Sequence, residues 1–248
     1  MMDTEWIYGR NAVQEVLRAQ RRKILRLIIQ VSAQEKSPIP EIRQLAKRAN
    51  IPIETVARER LDAIAHGHQG VGLEVGEYPY VDIQEILRYA RAKREAPFIL
   101  ILDVIQDPQN LGSLLRSAEC VGVHGVILPY RQAVGVTPAV VNSAAGASEH
   151  LLIARTNLAQ TIEQLKKQDI WVVGLEDTPE ALPPEMIKLD GALALVVGGE
   201  GSGIRKLVRQ SCDLLMRLPM RGKVNSYNAA VAGSIGLFLI AQKRDLFK

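Results

Sequence analysis

DPQNLGSLLR, residues Asp107–Arg116, joins an apolar run to a helical pattern and carries more structural information than any other segment of the chain. Two later segments, Gly198–Gly203 (GGEGSG) and Leu218–Asn228 (LPMRGKVNSYN), also follow apolar runs that predict buried strands. Polar groups at the ends of buried strands are where α/β proteins place their binding and catalytic residues. These three segments are therefore the candidate functional site.

The C-terminal part of the chain alternates between predicted strands and predicted helices. The strands are Phe98–Asp103, Gly125–Leu128, Ile170–Leu175 and Ala192–Val197. The helices are Leu111–Val121, Thr137–Ala145, Leu158–Lys167, Ile204–Gln210 and Asn228–Lys243. Continuous apolar strands of this kind are typical of a parallel sheet that is covered on both faces.

The N-terminal part predicts a smaller α/β unit. Its helices are Asn11–Gln20 and Pro40–Arg48, and its strands are Ile24–Val31, Ile51–Val56 and Val71–Val75. The charged stretch that follows ends before Pro97 and predicts a partly helical connection. We therefore predict an α/β protein with a small domain over residues 1–76, a linker over 77–95 and a second domain over 96–248.

The composition, 47% hydrophobic and 23% charged residues, is ordinary for a globular protein of 248 residues. The net charge of +4 does not by itself establish a nucleic-acid partner, but Arg18–Arg26 is a basic cluster that suits either a solvated face or phosphate contacts. Two cysteines without CxxC spacing and the lack of a signal peptide favour the cytoplasm. No apolar stretch reaches the ~18 residues of a membrane span, so we expect no membrane partner.

The glycine cluster at Gly198–Gly203 does not fit the nucleotide-binding templates. A GxGxxG pattern started at Gly199 or Gly201 has Ile204 or Lys206 where its last glycine belongs, and no acidic residue ends a second strand about 20 residues later. No Lys-Ser or Lys-Thr follows, which excludes a P-loop. Two interpretations of the segment remain. It is either a tight strand-to-helix turn or a turn whose backbone, without side chains, lets a ligand approach closely.

Three polar residues in these segments each have a structural and a functional interpretation. Glu200 is either a helix cap or a carboxylate held for a substrate hydroxyl or a catalytic arginine. Asn110 is either a cap or a site residue, and Arg116, on an apolar helix stretch, is either an ion-pair partner or a functional cation. His66 and His68 are spaced too closely, without Cys or paired carboxylates, to predict a metal site.

Taken together and in this order, the three segments resemble the motifs of the SpoU (TrmH-type) ribose 2′-O-methyltransferases of the SPOUT superfamily. The matching patterns are Pro-Gln-Asn-x-Gly-Ser-x-x-Arg, Gly-Gly-Glu-Gly-x-Gly-Ile and Leu-Pro-Met-x-Gly-x-Val-x-Ser-Tyr-Asn. Tyr8–Val13 and His68–Val71 look like the substrate-binding domain of the bacterial 23S ribosomal RNA guanosine 2′-O-methyltransferases. The resemblance covers essentially the whole chain.

The resemblance implies a C-terminal trefoil-knot catalytic domain, preceded by a small L30e-like α/β domain that binds RNA. It also implies a homodimer that transfers a methyl group from S-adenosylmethionine to a guanosine 2′-hydroxyl of 23S rRNA. Two alternatives remain, a tRNA ribose methyltransferase and a ribosome assembly factor that binds RNA without catalysis. A nicotinamide-dependent oxidoreductase is disfavoured by the glycine spacing.

The resemblance also implies roles for individual residues. The implied catalytic residues are Asn110, Arg116, Glu200, Ser226 and Asn228. The implied cofactor contacts are Gly198, Gly199, Leu218, Met220, Tyr227 and Asn228. Tyr227 and Ala230 depart from the family pattern, which has Leu and Ser there; Tyr227 can replace Leu if that position offers mainly backbone groups.

Methyl transfer from a sulfonium needs alignment of the ribose oxygen and removal of its proton. The family's proposed base is the counterpart of Arg116, yet a guanidinium is essentially never neutral in proteins. Our hypothesis is that Arg116 holds an RNA phosphate and polarises the 2′-hydroxyl, with Glu200 positioning the guanidinium.

The predicted helix Asn228–Lys243 is rich in small residues, which permit close backbone approach. It suits either the dimer contact or tight packing within one chain.

Overall fold

The computed structural model describes residues 4–33, 36–201 and 203–247, so the predicted domain ends at residues 1 and 248 lie outside it. The chain forms two compact units. The first contains residues up to Pro79 together with Val136–His150, and the second contains Tyr80–Gly135 and the residues from Leu151 onward. Within the described part of the chain, no helix is both long enough and apolar enough to cross a membrane.

The strands and helices are numbered in chain order. The strands are β1 (Thr4–Tyr8), β2 (Ile24–Gln30), β3 (Ile53–Val56), β4 (Val71–Gly76), β5 (Phe98–Asp103), β6 (Gly125–Pro129), β7 (Ile153–Thr156), β8 (Trp171–Leu175), β9 (Leu193–Gly198) and β10 (Leu214–Met216). The helices are α1 (Arg10–Ala19), α2 (Ile39–Arg48), α3 (Arg58–Asp62), α4 (Ile83–Lys93), α5 (Pro108–Cys120), α6 (Pro138–Ser143), α7 (Leu158–Lys166), α8 (Lys206–Ser211) and α9 (Ala229–Lys243).

The first unit is built on a four-stranded sheet of order β1-β4-β2-β3, in which only β2 and β3 pair in parallel. Residues 136–150, which include α6, belong to it although they lie between β6 and β7 in the chain. A buried pair anchors them: Arg22 donates from Nε to Glu149 Oε2 at 3.0 Å and from Nη2 to Glu149 Oε1 at 2.9 Å, and both side chains are fully buried. A buried charge needs such a partner, so this pair ties residues 136–150 to the segment between α1 and β2.

The second unit is built on a six-stranded sheet of order β10-β8-β9-β5-β6-β7, in which every pair is parallel. The parallel sheet predicted from the apolar runs is therefore present, and every residue of β5, β6 and β9 is buried. Because the strands are parallel, their carboxyl ends all lie at one edge. The three candidate segments follow β5, β9 and β10 at that edge.

Two features of the structure refine the predicted organisation. Helix α4 lies in the predicted linker, but its apolar residues Ile83, Ile86 and Leu87 are buried in the core of the second unit. Strands β1, β7 and β10 are not predicted by the sequence, since they have three to five residues each and carry little periodicity. The predicted domain limits themselves stay a prediction.

Helix α9 packs its small residues inward. A Cβ on Gly233 would lie 2.4 Å from Leu114 Cδ2, and a Cβ on Gly236 would lie 3.1 Å from Leu195 Cδ2. The small residues therefore serve close packing within the chain, on α5 and β9. The exposed side of the helix carries Val231 and Phe238, which are 48% and 51% exposed.

His124 fixes the start of the central strand β5, and its environment predicts a pH effect on stability. Its Nδ1 accepts a hydrogen bond from the backbone N–H of Phe98 at 3.0 Å, and its Nε2 lies 3.0 Å from Glu95 Oε2. Burial lowers the pKa of His124 below its ordinary value of 6.5, against the opposing effect of Glu95. The unfolded chain therefore binds this proton more readily than the folded one.

We expect the free energy of unfolding to fall as the pH decreases from 7.5 through 6.5 towards the lowered pKa of His124. Urea titrations of the wild type and of His124→Gln at pH 7.5 and 5.5 measure this loss. The variant should lose less stability between the two pH values than the wild type. Equal losses in the two proteins would show that His124 does not cause the effect.

Candidate functional site

A cavity of about 350 Å³ lies at the carboxyl edge of the second unit's sheet. It opens where β8, β9 and β10 end, and two of the three candidate segments form much of its wall. The lining residues are Leu175, Glu176, Asp177, Val197, Gly198, Gly199, Glu200, Gly201, Gly203, Met216, Leu218, Met220, Asn225, Ser226, Tyr227, Ala229 and Ala232. The edge of a parallel sheet is where such a cavity is expected.

The glycines of the second segment are required by close backbone contacts. A Cβ on Gly198 would lie 2.2 Å from the carbonyl carbon of Gly203, and a Cβ on Gly199 would lie 2.4 Å from the carbonyl oxygen of Val104. Neither distance can accommodate a side chain. The loop therefore folds tightly against the end of β5, and its bare backbone forms one wall of the cavity.

Three predicted catalytic residues form one hydrogen-bonded cluster beside this cavity. Asn110 and Asn228 both donate from Nδ2 to Glu200 Oε1, at 2.8 Å and 2.6 Å. Asn228 Nδ2 also donates to Asn110 Oδ1, at 3.1 Å. We refer to Asn110, Glu200 and Asn228 as the amide–carboxylate cluster. It joins the three segments, which are far apart in the sequence.

Helix starts place the two asparagines of the cluster. Asp107 caps α5 by accepting from the backbone N–H groups of Gln109 and Asn110, so the cap in this segment is Asp107. Asn228 itself caps α9, because its Oδ1 accepts from the backbone N–H groups of Ala230 and Val231 at 2.9 and 3.2 Å. With Oδ1 used for capping, Asn228 Nδ2 is left to reach Glu200.

Arg116 does not join the cluster, and the predicted pairing of Glu200 with Arg116 is wrong for this chain. Its side chain is exposed, and no hydrogen bond or ion pair to it is found within 4–33, 36–201 and 203–247. Arg116 comes six residues after Asn110 on α5. At 3.6 residues per turn, its side chain is therefore rotated about 240° around the helix axis from that of Asn110.

Most of the predicted cofactor contacts do line the cavity. Gly198, Gly199, Leu218, Met220 and Tyr227 all belong to its wall, whereas Asn228 lies beside it in the cluster. Ser226, predicted as catalytic, is also part of the wall. Their assignment to a cofactor or to catalysis stays a prediction.

Tyr227 supports the loop that departs from the family pattern. Its hydroxyl donates to the backbone carbonyl of Pro219 at 3.2 Å, which joins the two ends of the third segment. The side chain is 41% exposed and needs no buried pocket. Tyrosine at this position is therefore compatible with the loop.

An ion pair with a buried carboxylate fixes the loop that carries Glu200. Asp103, the last residue of β5, is fully buried and accepts from the backbone N–H of Arg205 at 2.8 Å and from Arg205 Nε at 2.8 Å. Arg205 Nη2 lies 2.6 Å from the same carboxylate. Sequence reasoning missed this pair; the signal was a charged residue that ends an otherwise apolar run.

Glu176 is a second residue that sequence reasoning missed. It follows β8 and lines the cavity, and its Oε2 is buried without a hydrogen-bond partner among the described residues. Its Oε1 lies 3.6 Å from Arg209 Nη1, a distance too long for a hydrogen bond. A buried carboxylate oxygen without a donor is costly, so the site suits a ligand that donates a hydrogen bond there.

The cavity is acidic. Glu176, Asp177 and Glu200 line it, and its described lining contains no Lys, Arg or His. Such a cavity favours a ligand that carries positive charge. Within the described ranges, no group of three or more His, Cys, Asp or Glu residues could hold a metal ion, and His68 instead bonds Asp62 and the backbone N–H of Gly70.

The basic cluster Arg18–Arg26 in the first unit is largely paired. Arg18 contacts Glu15 and Glu41, and Arg26 contacts Glu54 and Glu74. Arg22 is the buried partner of Glu149. These three arginines therefore serve ion pairs within the unit, and the structure gives no support to the phosphate-contact interpretation for them.

Two family models match the chain. The SpoU rRNA Methylase family model matches residues 97–238, and the RNA 2′-O ribose methyltransferase substrate binding model matches residues 6–81. The first spans all three candidate segments. The second lies at the N-terminal side, where the sequence predicts the smaller domain.

Similar proteins agree with these matches. A relative from Bacillus subtilis strain 168, named as a TrmH family tRNA/rRNA methyltransferase, is 42% identical over 245 residues, which cover 97% of this chain and 96% of the relative. The crystal structure of the SpoU methyltransferase AviRb from Streptomyces viridochromogenes in complex with AdoMet has a TM-score of 0.80 at 22% identity, covering 98% of this chain and 91% of that one.

A further similar structure is an AdoMet-bound rRNA methyltransferase from Sinorhizobium meliloti. Its TM-score is 0.79 at 21% identity, with 96% of this chain and 87% of that chain covered. Together with the parallel sheet, these structures confirm the predicted fold class, a SPOUT-type α/β catalytic domain preceded by a small α/β substrate-binding domain.

Proposed function

The chain belongs to the SpoU rRNA methylase family, and from that premise we propose that it transfers a methyl group from S-adenosylmethionine to the ribose 2′-hydroxyl of a guanosine in 23S rRNA. The observation that carries the proposal is the amide–carboxylate cluster beside the acidic cavity. It brings predicted catalytic residues from all three segments to the place where predicted cofactor contacts also lie.

The cavity fits S-adenosylmethionine. This cofactor carries a sulfonium, an ammonium and a carboxylate group, so its net charge is positive. The cavity lining presents Glu176, Asp177 and Glu200, of which Glu176 also lies 3.6 Å from Arg209. The cofactor's hydroxyl and amino groups also supply the donor that Glu176 Oε2 lacks. The apolar wall at Leu218 and Met220 suits its uncharged parts.

The residues of the chain are arranged to orient a hydroxyl nucleophile. When bound, S-adenosylmethionine supplies an activated methyl group on sulfur. Glu200 Oε1 is occupied by the two asparagine amides, and this fixes the carboxylate. Glu200 Oε2 is then positioned to accept a hydrogen bond from the ribose 2′-hydroxyl and to orient its oxygen.

Arg116 keeps the phosphate-binding part of its predicted role but loses the predicted positioning by Glu200. Since it is exposed and makes no contact with Glu200 among the described residues, it is free to contact the RNA. A guanidinium binds phosphate through two parallel hydrogen bonds, which suits an exposed position on α5. Asn110 and Asn228 act by holding Glu200 in place, and Ser226 offers a further hydroxyl at the cavity wall.

Ribosomal RNA is favoured as the substrate by the match of residues 97–238 to a family described as rRNA methylases and by the resemblance of Tyr8–Val13 to the 23S rRNA enzymes. The Bacillus subtilis relative is named for both tRNA and rRNA, so tRNA is the second candidate. An assembly factor without catalysis is disfavoured, because the amide–carboxylate cluster is complete. The predicted cytoplasmic location is kept as part of the proposal.

The proposal includes a homodimer. The exposed side of α9 carries Val231 and Phe238, and Phe238 stacks on the exposed Phe247 at 5.4 Å between ring centroids. An exposed apolar surface of this kind is typical of a protein interface.

We expect light scattering to give twice the chain mass for the wild type and the mass of the monomer for Phe238→Glu. A monomeric wild type at micromolar concentration would contradict this part of the proposal.

The decisive experiment measures transfer of labelled methyl from S-adenosylmethionine to purified ribosomal RNA and to tRNA. We expect the label in large-subunit rRNA, at one linkage that resists alkali because its 2′-hydroxyl is methylated. Arg116→Ala should lower the rate at least about tenfold, because each charged hydrogen bond to phosphate is worth about 1.5–3 kcal/mol.

The matched control is Arg88→Ala, which removes an exposed arginine of the same unit that lines no described cavity. It should transfer methyl at the wild-type rate. If only tRNA takes up the label, tRNA replaces rRNA as the proposed substrate. If no label enters rRNA, tRNA or ribosome assembly intermediates, the proposed enzymatic function is rejected.

Glu176 provides a test that does not depend on turnover. Glu176→Gln removes the charge but keeps the shape, so we expect about tenfold weaker binding of S-adenosylmethionine, or ~1.4 kcal/mol, and a smaller loss for the product S-adenosylhomocysteine, which lacks the sulfonium charge. Isothermal calorimetry measures both affinities. Glu185→Gln, an exposed carboxylate outside the cavity, is the control and should change neither. Unchanged binding of both ligands by Glu176→Gln would remove Glu176 from the cofactor site.

A further inference from the structure

A second cavity of about 380 Å³ lies at the same edge of the sheet, where β6 and β7 end. The family resemblance assigns no residue to its lining. Its walls include Tyr130, Arg131, Thr156, Asn157, Arg205 and Leu207. All of these belong to the second unit. We refer to it as the β6–β7 cavity.

The charge of the β6–β7 cavity is opposite to that of the first cavity. Its described lining contains Arg131 and Arg205 and no Asp or Glu, whereas the first is lined by three carboxylates and no described base. Arg205 is already paired with Asp103, so the attraction for a phosphate group comes from Arg131, which makes no ion pair among the described residues.

The side chains at its mouth suit a nucleotide. Tyr130 is 64% exposed and Leu207 is 65% exposed, so an aromatic ring and an apolar surface face solvent beside an exposed Arg131. Single-stranded RNA is bound by stacking bases on such rings and by arginine contacts to phosphate. Arg155 fixes the backbone here, because its Nη2 donates to the carbonyl of Tyr130 at 2.9 Å.

Arg205 connects the two cavities. Its backbone follows the glycine loop of the first cavity, and its side chain lines the second. Asp103 accepts hydrogen bonds from both the backbone N–H and the side chain of Arg205, and Gln132 Oε1 accepts from Arg205 Nη1 at 3.2 Å. Only β5 separates β9 from β6, so the two strand ends are about 10 Å apart. One RNA strand can therefore reach both cavities.

We propose that the β6–β7 cavity binds a nucleotide of the RNA substrate that neighbours the methylated one, with its base on Tyr130 and its phosphate on Arg131. The inference rests on the proposed function, because it takes RNA as the ligand. By this inference the second unit contacts the RNA itself, at a place separate from the cofactor cavity and from the N-terminal region that matches the substrate-binding model.

The test is equilibrium binding of the full-length protein to a transcript of large-subunit rRNA at several salt concentrations. We expect Tyr130→Ala and Arg131→Ala each to weaken binding about tenfold, while Tyr130→Phe, which keeps the ring, binds like the wild type. Arg131→Ala should also lower the slope of log affinity against log salt by about one, the loss of one phosphate contact. Arg88→Ala, the exposed arginine outside both cavities, should change neither quantity.

Calorimetry with S-adenosylmethionine accompanies these titrations and should give wild-type affinity for all variants, which shows that they are folded. Equal RNA affinity and salt slope in the wild type, Tyr130→Ala and Arg131→Ala would overturn the inference, even where the wild type methylates rRNA. Failure of the proposed function is recognised separately, by absence of methyl transfer from the wild type. The titrations are repeated with tRNA, and a wild type that binds neither RNA overturns both proposals.

Discussion

The buried carboxylate of Asp103 is the interaction on which the candidate site depends. It ends β5 in the middle of the parallel sheet, and it binds both the backbone and the side chain of Arg205. Replacing Arg205 would leave this carboxylate buried without its cation, which is destabilising. The pair thereby fixes the end of the glycine loop, and with it the positions of Glu200 in one cavity and of Arg205 in the other.

The sheet could be predicted because the four runs at β5, β6, β8 and β9 are apolar apart from Asp103, the last residue of β5. A strand that is buried on both faces has no choice of side-chain type, so its composition reveals it. Strands β7 and β10 have only four and three residues, and their position follows from the long-range pairing with β6 and β8. The assignment of residues 136–150 to the first unit depends on Arg22 and Glu149, 127 positions apart, and no local pattern reveals that pair.

The site could be predicted in part. The motifs placed Asn110, Glu200 and Asn228 in one cluster, because three strand ends of one parallel sheet must meet at one edge. The role of Arg116 came from the resemblance of the motifs, which gives no side-chain direction, and on α5 the turn of the helix points it away from the direction of Asn110. Glu176 carries no motif, and its importance appears only in the unpartnered buried oxygen that the fold creates.

Opposite charges at one edge of the sheet suit the two ligands of the proposed reaction. A cationic methyl donor and an anionic RNA would occupy neighbouring places there, since three carboxylates line one cavity and Arg131 and Arg205 line the other. Val104, next to Asp103, has a φ of 59°, which is costly for a β-branched residue, and its carbonyl touches the glycine loop. Such strain persists only where the surrounding structure enforces it. Here the neighbouring ion pair between the buried Asp103 and Arg205 fixes the backbone that borders both cavities.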